Sequence, residues 1–276
     1  MEIVIGLIVT VVFIALALAL LMFVANRKQW HGWKELHQHH VLESHLVKAR
    51  WLLSWRAFCF VYCVVIWIYT LAVSGNKGGF FSFYTIWNYS MLTVYFGSAT
   101  FYTLSHRNVH TPTPVELFWR RSIWVLFEIC LVMATLVDAV TWAILYPQSV
   151  RDDNTDLVLN VSSYHIHALN FVFILVDGIM NNFVFMPSHS LFVCLWGFAY
   201  AMFAWAYYAG TGVWNYSFLD TSKSVAPLWY IGLLIGHAAL FLLFWLVVRK
   251  LKAPRLTVYE TPSDLTMPLT AEREAE

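Results

Sequence analysis

Charged side chains are scarce in this sequence. Only 12% of its 276 residues are Asp, Glu, Lys or Arg, whereas a soluble domain carries about a quarter. Hydrophobic residues make up 60%, and the mean hydropathy is +0.63. This composition predicts a protein that crosses a membrane several times. The net charge of +1 supplies no basic surface, so nucleic-acid binding is not predicted.

Cysteine is also rare, and none lies in a loop. The four cysteines, Cys59, Cys63, Cys130 and Cys194, all fall inside apolar runs. A disulfide framework is therefore not predicted. We expect all four to pack as small, buried hydrophobic side chains.

Seven apolar segments are long enough to cross roughly 30 Å of hydrocarbon as helices. They are Ile3–Ala25, Trp55–Val73, Ser82–Leu104, Ser122–Tyr146, Tyr164–Phe183, Leu191–Ala209 and Pro227–Val248. None shows the alternation of polar and apolar residues that a membrane β-strand requires. The sequence predicts an all-α, polytopic membrane bundle of seven helices.

Lys and Arg concentrate in alternate connections, which sets the orientation. Positive residues cluster at 27–56, at 107–121 and at 249–255. These stretches are predicted to face the cytosol, with the amino terminus outside or lumenal and the carboxyl terminus cytosolic. The sequons at Asn160 and Asn215 then fall in outer loops. The predicted location is the plasma membrane or an endomembrane such as the ER.

The chain divides into four predicted regions. Residues 1–25 form an extra anchor helix, because residues 1–2 lack the positive charge of a cleaved signal. Residues 26–54 form a cytosolic linker, residues 55–252 a six-helix core, and residues 253–276 a polar, acidic tail that we expect to be disordered.

The linker is rich in histidine, at His31, His37, His39, His40 and His45. Such a tract can bind metal ions, but no cysteine or carboxylate cluster completes a coordination shell. The favoured interpretation is an amphipathic helix on the membrane surface, with its aromatic and leucine side chains inward. These are Trp30, Trp33, Leu36 and Leu42. No metal and no cofactor are predicted.

Polar side chains inside the spans are the candidate functional residues. They are Thr85, Asn88, Glu128, Asp138, His167, Asp177 and His237. Such groups are costly in a bilayer and mark either function or bonds between helices, which are worth about 1 kcal/mol each. For any single one of these residues, bonding between helices is the favoured interpretation.

Depth singles out two of these residues. Thr85 and His167 each lie about one turn from the outer end of parallel spans, roughly 5 Å below the boundary. Asn88 and Asn170 lie one turn deeper on the same helix faces. Asp177 lies roughly 15 Å further along the axis than His167, so we expect it to serve bundle packing.

These residue types fit a hydrolase. A threonine hydroxyl becomes a nucleophile when a base removes its proton, and a neutral histidine does this near neutral pH. An amide N–H stabilises the oxyanion of an acyl transfer. The sequence thus permits a site with Thr85 as nucleophile, His167 as base, and Asn88 and Asn170 as supporting groups.

Five stretches, in family order along the chain, resemble one family of multi-pass membrane proteins. They are "FYTIW" (83–87), "LVDAVTWAILYP" (136–147) with "APLWYIGLLIGH" (226–237), "HALNFVFILVD" (167–177) and "TGVWNYSFLD" (211–220). They are similar to the androgen-induced protein and rolling stone family, most of all to its plant-type branch. The resemblance covers about residues 55–250.

The resemblance implies a specific activity. Androgen-induced members are hydrolases of fatty acid esters of hydroxy fatty acids, and their threonine and histidine fall on Thr85 and His167. Trp214, in the last motif, is assigned a supporting role. Membrane lipids and a lipid ester substrate are the implied partners. The alternative function is a non-enzymatic membrane protein of signalling, cell contact or fusion, or lipid binding, because the rolling stone branch is linked to cell fusion.

Overall fold

The computed structural model describes residues 39–75, 77–106 and 113–252. Every regular element in these ranges is a helix, in agreement with the predicted all-α class. The predicted anchor at 1–25, most of the histidine-rich linker and the tail at 253–276 lie outside the described residues.

Six long helices make up the described part of the chain. They are α1 (Ala49–Val73), α2 (Tyr84–Ser105), α3 (Pro114–Arg151), α4 (Val161–Met180), α5 (Ser190–Thr211) and α6 (Ala226–Leu251). All except α2 are both long and apolar enough to cross a membrane. Helix α2 has 22 residues and is long enough, but it is more polar. These helices fit an integral, multi-pass membrane protein.

Local sequence signals, rather than apolarity, fix several helix ends. Helix α3 begins eight residues before the predicted Ser122, because Thr113 and Glu116 form a capping box ahead of Pro114. Helix α5 ends at Thr211 and is capped by Gly212, whose φ of +71° is the left-handed conformation that glycine adopts most easily. Helix α1 begins at Ala49, inside the predicted linker.

Two helices widen into a π-helical turn at neighbouring positions. In α3 the turn covers Thr141–Leu145 and precedes Pro147, which cannot donate the usual backbone hydrogen bond to the preceding turn. In α4 it covers His165–Leu169, where His167 has φ −129° and ψ 15°. The His167 carbonyl accepts a hydrogen bond from Trp142 Nε1 at 2.6 Å. Such turns are frequent at functional sites.

Helix α3 is the centre of the bundle. It packs against α2, α4, α5 and α6, and α1 packs mainly on α2. The core between these helices is rich in fully buried aromatic and aliphatic side chains, including Tyr95, Phe96, Ile123, Phe127 and Met133. The four cysteines are buried and free, as predicted.

A buried polar network joins the helices at the predicted cytosolic end. Asp177 on α4 accepts hydrogen bonds from Arg56 Nε at 2.9 Å, from the Tyr95 hydroxyl at 2.5 Å and from Asn181 Nδ2 at 2.8 Å. Arg56 and Asp177 are both fully buried. Lys252 Nζ donates to Asn181 Oδ1 at 2.9 Å. Asp177 therefore holds α1, α2 and α4 together.

The connection between α4 and α5 is buried rather than a surface turn. Phe183 is fully buried and His189 nearly so. Glu128 on α3 accepts hydrogen bonds from the Met186 backbone N–H at 2.7 Å and from the His189 ring. Trp124 Nε1 donates to the Val184 carbonyl at 2.6 Å. These side chains satisfy backbone groups that would otherwise be costly inside a bundle.

Candidate functional site

An apolar cavity of about 90 Å³ lies between α2, α3, α5 and α6. The loop of residues 212–225 closes one end of it through Tyr216, Phe218 and Leu219. That loop is tied down where Asn215 Nδ2 donates to the Ser82 carbonyl at 2.7 Å. The side chains of the wall that can take part in chemistry are Tyr84, Thr85, Thr141, Cys194, Tyr216, Tyr230 and His237.

Thr85, the predicted nucleophile, lines this cavity. It is 8% exposed and sits in the first turn of α2. Its side chain is within hydrogen-bonding reach of the Tyr216 phenol, which belongs to the 212–225 loop. Burial raises the pKa of Tyr216, and hydrogen bonding to Thr85 opposes that rise. The Tyr216 hydroxyl therefore stays protonated at neutral pH and can act as a donor.

Thr85 also lines a second cavity of about 10 Å³, together with Asn88 and Asn170. This volume is close to the minimum for a single water molecule. The structure thus brings three of the predicted site residues to one small space, and Thr85 lines both this space and the larger cavity.

The two amides are already engaged with neighbours. Asn88 Nδ2 donates to the Tyr84 carbonyl at 2.9 Å, and its Oδ1 accepts from Trp196 Nε1 at 2.8 Å. Asn170 Nδ2 donates to Asp138 Oδ1 at 3.1 Å, while its own Oδ1 is buried without a hydrogen-bond partner. Each amide therefore keeps part of its bonding capacity for another group.

His167, the predicted base, forms its ring hydrogen bond with Thr141 rather than with Thr85. The Nδ1 to Thr141 Oγ1 distance is 2.9 Å. Thr141 is 2% exposed and belongs to the cavity wall. The bond joins the two π-helical turns of α3 and α4. A hydroxyl in direct contact with an imidazole is the arrangement that an activated nucleophile requires.

Sequence reasoning missed Thr141. It lies three residues after Asp138 in the run "LVDAVTWAILYP". This spacing places the two polar side chains on the same helix face, and it is the signal by which Thr141 could have been found. Its contact with α4 depends on the π-helical turns, whose effect on side-chain direction a regular helical pattern does not show.

His237 is a second histidine at the cavity, and sequence reasoning left its role open. Its Nδ1 lies 2.6 Å from the Leu233 carbonyl, and its Nε2 lies 3.1 Å from the Tyr84 hydroxyl. It is 5% exposed.

Trp214 lies away from the cavity wall. Its indole stacks on Tyr208 with ring centroids 4.5 Å apart, and its Nε1 is buried without a hydrogen-bond partner. Trp214 packs with the aromatic side chains of the 212–225 loop and neighbouring helices, so any support it gives to the site would act through that loop.

Within residues 39–75, 77–106 and 113–252, no three His, Cys, Asp or Glu side chains cluster as metal ligands would. His45, the histidine of the linker whose side chain is described, bonds Asn182 Oδ1 through Nδ1 at 2.7 Å. That contact ties the linker to the buried α4–α5 connection.

Comparison with known proteins supplies no assignment for the cavity. The chain matches no family model, no curated protein and no solved structure. The chemistry of the cavity has to be inferred from its own residues and geometry.

Proposed function

We propose that this protein is a membrane hydrolase of lipid esters, with its chemistry at the apolar cavity and His167 as general base. The observation that carries the proposal is the 2.9 Å contact between His167 Nδ1 and the Thr141 hydroxyl at the cavity wall. A buried hydroxyl held against an imidazole beside an apolar space suits attack on a carbonyl with long acyl chains.

The first half-reaction transfers the acyl group to a threonine. The threonine oxygen attacks the ester carbonyl carbon while its proton passes to His167. The tetrahedral intermediate then collapses, the bond to the alcohol oxygen breaks, and His167 returns the proton to that oxygen. The products are a free alcohol and an acyl-threonine.

Two threonines at the cavity are candidates for the acyl acceptor. Thr85 is the one that the sequence and the family resemblance indicate, and it lines the same cavity. Thr141 is the one that His167 contacts. Attack by Thr85 requires its proton to reach His167 directly after a side-chain rotation or through Thr141, whereas attack by Thr141 needs no rearrangement.

The supporting groups have defined places in this scheme. Tyr216 can donate a hydrogen bond at Thr85, where an oxyanion would form if Thr85 is the acceptor. Asn88 and Asn170 border the small cavity on the other side of Thr85. Fatty acid esters of hydroxy fatty acids, the class that the resemblance implies, have the required ester between two apolar chains.

The proposed topology has seven spans with the amino terminus outside and the carboxyl terminus cytosolic. The distribution of Lys and Arg supports it. In this orientation the cavity opens in the outer half of the bilayer. A two-chain ester would enter sideways, with its acyl chains in lipid and its ester near interfacial water.

The experiment compares ester hydrolysis by purified wild type and by three single variants. Thr141→Val, Thr85→Val and His167→Gln each remove one proposed group with little change in size. We expect His167→Gln to lose 10²-fold or more in kcat/KM and at least one threonine variant to lose a similar factor. Thr135→Val, on α3 with its hydroxyl bonded to the Leu131 carbonyl, is the matched control and should keep wild-type activity.

The non-enzymatic alternative makes the opposite prediction. If His167 and Thr141 serve only as bonds between helices, their loss lowers thermal stability by about 1 kcal/mol each and no ester is hydrolysed by any form. A wild type that is folded and inactive on every long-chain ester would establish this alternative.

A further inference from the structure

His237 presents a titratable ring to the cavity that the acylation step does not use. It projects from α6 to the same wall as Thr85 and Thr141. The rest of that wall is mainly aliphatic and aromatic. A buried polar ring in such a place needs a structural or a chemical reason.

The hydrogen bonds of His237 determine which nitrogen can act as a base. The Leu233 carbonyl can only accept, so the Nδ1 atom 2.6 Å away carries the ring proton. In the neutral ring the lone pair is then on Nε2, which lies 3.1 Å from the Tyr84 hydroxyl; that hydroxyl can donate either to Nε2 or to Met133 Sδ, 2.9 Å away. Nε2 therefore points its basic side toward the residues around the cavity.

Helix α5 leaves room for this ring at one glycine. A Cβ atom added at Gly197 would lie 2.7 Å from His237 Nε2. No side chain can occupy that position without displacing the imidazole. Gly197 thus leaves the space that this edge of the imidazole occupies.

Resting on the hydrolase function proposed above, we propose that His237 is the general base of the second half-reaction, the hydrolysis of the acyl-threonine. The cavity of about 90 Å³ has room for several water molecules, since one needs roughly 10–15 Å³. His237, Thr85 and Thr141 all line this cavity, so a water held in it can lie between Nε2 and an acylated threonine.

The step balances without any further reactant. The water oxygen attacks the acyl carbonyl carbon, and one water proton passes to His237 Nε2. The tetrahedral intermediate collapses, the bond from the carbonyl carbon to the threonine oxygen breaks, and the imidazolium returns its proton to that oxygen. The products are a carboxylic acid and the regenerated threonine. Tyr84, within hydrogen-bond distance of Nε2, is a positioning residue for the ring and the water.

The division of labour between two histidines follows from their contacts. His167 is in contact with the Thr141 hydroxyl on the α4 side, where it serves the first attack. His237 lines the cavity from α6. A water between the acyl group and α6 can use His237 without displacing His167.

The test measures the two half-reactions separately with a long-chain acyl ester of 4-methylumbelliferone. Release of the fluorescent alcohol reports acylation, and intact-protein mass reports the acyl-threonine. For His237→Gln we expect a burst of about one alcohol per protein, then turnover slowed 10²-fold or more. The acylated protein should accumulate. A loss of packing alone would not produce this burst.

A glycine pair provides the second arm. Gly197→Ala keeps the imidazole but displaces it, so we expect the same burst with turnover slowed about 10-fold. Gly232→Ala, on α6 where an added Cβ meets nothing within 4 Å, should behave as wild type. If His237→Gln does not fold, the role of His237 is tested by comparing the turnover of Gly197→Ala with that of Gly232→Ala.

The outcomes separate this inference from the proposed function. A wild type with no ester hydrolysis and no acylation overturns the hydrolase itself. A hydrolytic wild type whose His237→Gln and Gly197→Ala variants turn over at the normal rate overturns only the role of His237. An equal loss of burst and turnover in His237→Gln would place His237 in acylation and also overturn the inference.

Discussion

At the scale of single residues, Lys252 is a buried amine just beyond the end of α6. It is 7% exposed and donates to Asn181 Oδ1 and to the Phe183 carbonyl. The pKa of Lys252 is lowered to about 7, mainly by burial; the negative charge of Asp177 opposes this shift and the positive charge of Arg56 adds to it. The folded protein therefore holds the Lys252 proton less tightly than the unfolded chain does.

The sign of the resulting pH dependence is fixed. Between pH 7 and the ordinary lysine pKa of about 10.4, the unfolded chain binds more protons at this site, so stability rises with pH. We expect wild type to gain up to about 2 kcal/mol in free energy of unfolding relative to Lys252→Met between pH 7 and pH 9. Denaturant unfolding of both proteins at the two pH values measures it. An unchanged difference would show that Lys252 is not buried as described.

The residue types of the candidate site follow from the sequence more readily than their contacts do. Thr85 and Asn88 lie one turn apart on α2, Asn170 lies on α4, and the three share a small cavity. The partner of His167 does not follow, because Thr141 reaches it only across two π-helical turns. Polar character is read from composition, whereas a side-chain direction depends on local backbone geometry.

At the scale of elements, the contact between α3 and α4 at the π-helical turns positions the base. Trp142→Phe removes the hydrogen bond to the His167 carbonyl and keeps an aromatic, though smaller, ring. We expect kcat to fall several-fold with little change in KM, and stability to fall by about 1 kcal/mol. Trp67→Phe is the matched control, since Trp67 Nε1 bonds Ser90 Oγ. Loss of the Trp67 hydrogen bond should lower stability by a similar amount and leave kcat unchanged. If Trp67→Phe and Trp142→Phe lower kcat equally, the π-helical turns have no special role in positioning the base.

The ion pair between α1 and α4 is a second contact between helices whose loss should lower the stability of the bundle. Arg56→Met leaves the Asp177 carboxylate buried without its cation, and we expect this to cost about 3–5 kcal/mol. The double variant Arg56→Met/Asp177→Leu removes both charges and should be more stable than Arg56→Met. Thermal unfolding in detergent compares the two. A double variant less stable than either single one would contradict this account.

The helices themselves follow from apolar length, but their ends do not. The structure forms a helix at each described apolar segment. In lipid, a segment of about 20 apolar residues can satisfy its backbone N–H and C=O groups internally only as a helix. The predicted starts of α1 and α3 were wrong by six and eight residues, since the helices extend through less apolar turns to Lys48 and to the Thr113 cap. The buried α4–α5 connection was also missed, because its polar partners come from distant helices.

At the scale of the whole molecule, the proposed topology has an external test. With the amino terminus outside, Asn160 and Asn215 lie on the glycosylated side of the membrane. We expect full-length protein made with ER membranes to gain mass that a glycosidase removes, and each of Asn160→Gln and Asn215→Gln to lose part of it. Cytosolic accessibility of Asn160 in a protease-protection assay would reverse the orientation and move the cavity to the other leaflet.

The proposed hydrolase site requires a base on α4, a hydroxyl on α2 or α3 and a cavity closed by the 212–225 loop. The most direct measurement is to treat the purified full chain with a fluorophosphonate probe and locate the adduct by peptide mass spectrometry. We predict a single adduct, on Thr141 or on Thr85, that is absent from His167→Gln and retained in Thr135→Val. The same probe conditions should label a known serine hydrolase as a positive control. If they label that control but not this protein, or if the adduct lies on a residue outside the cavity, the central claim is contradicted.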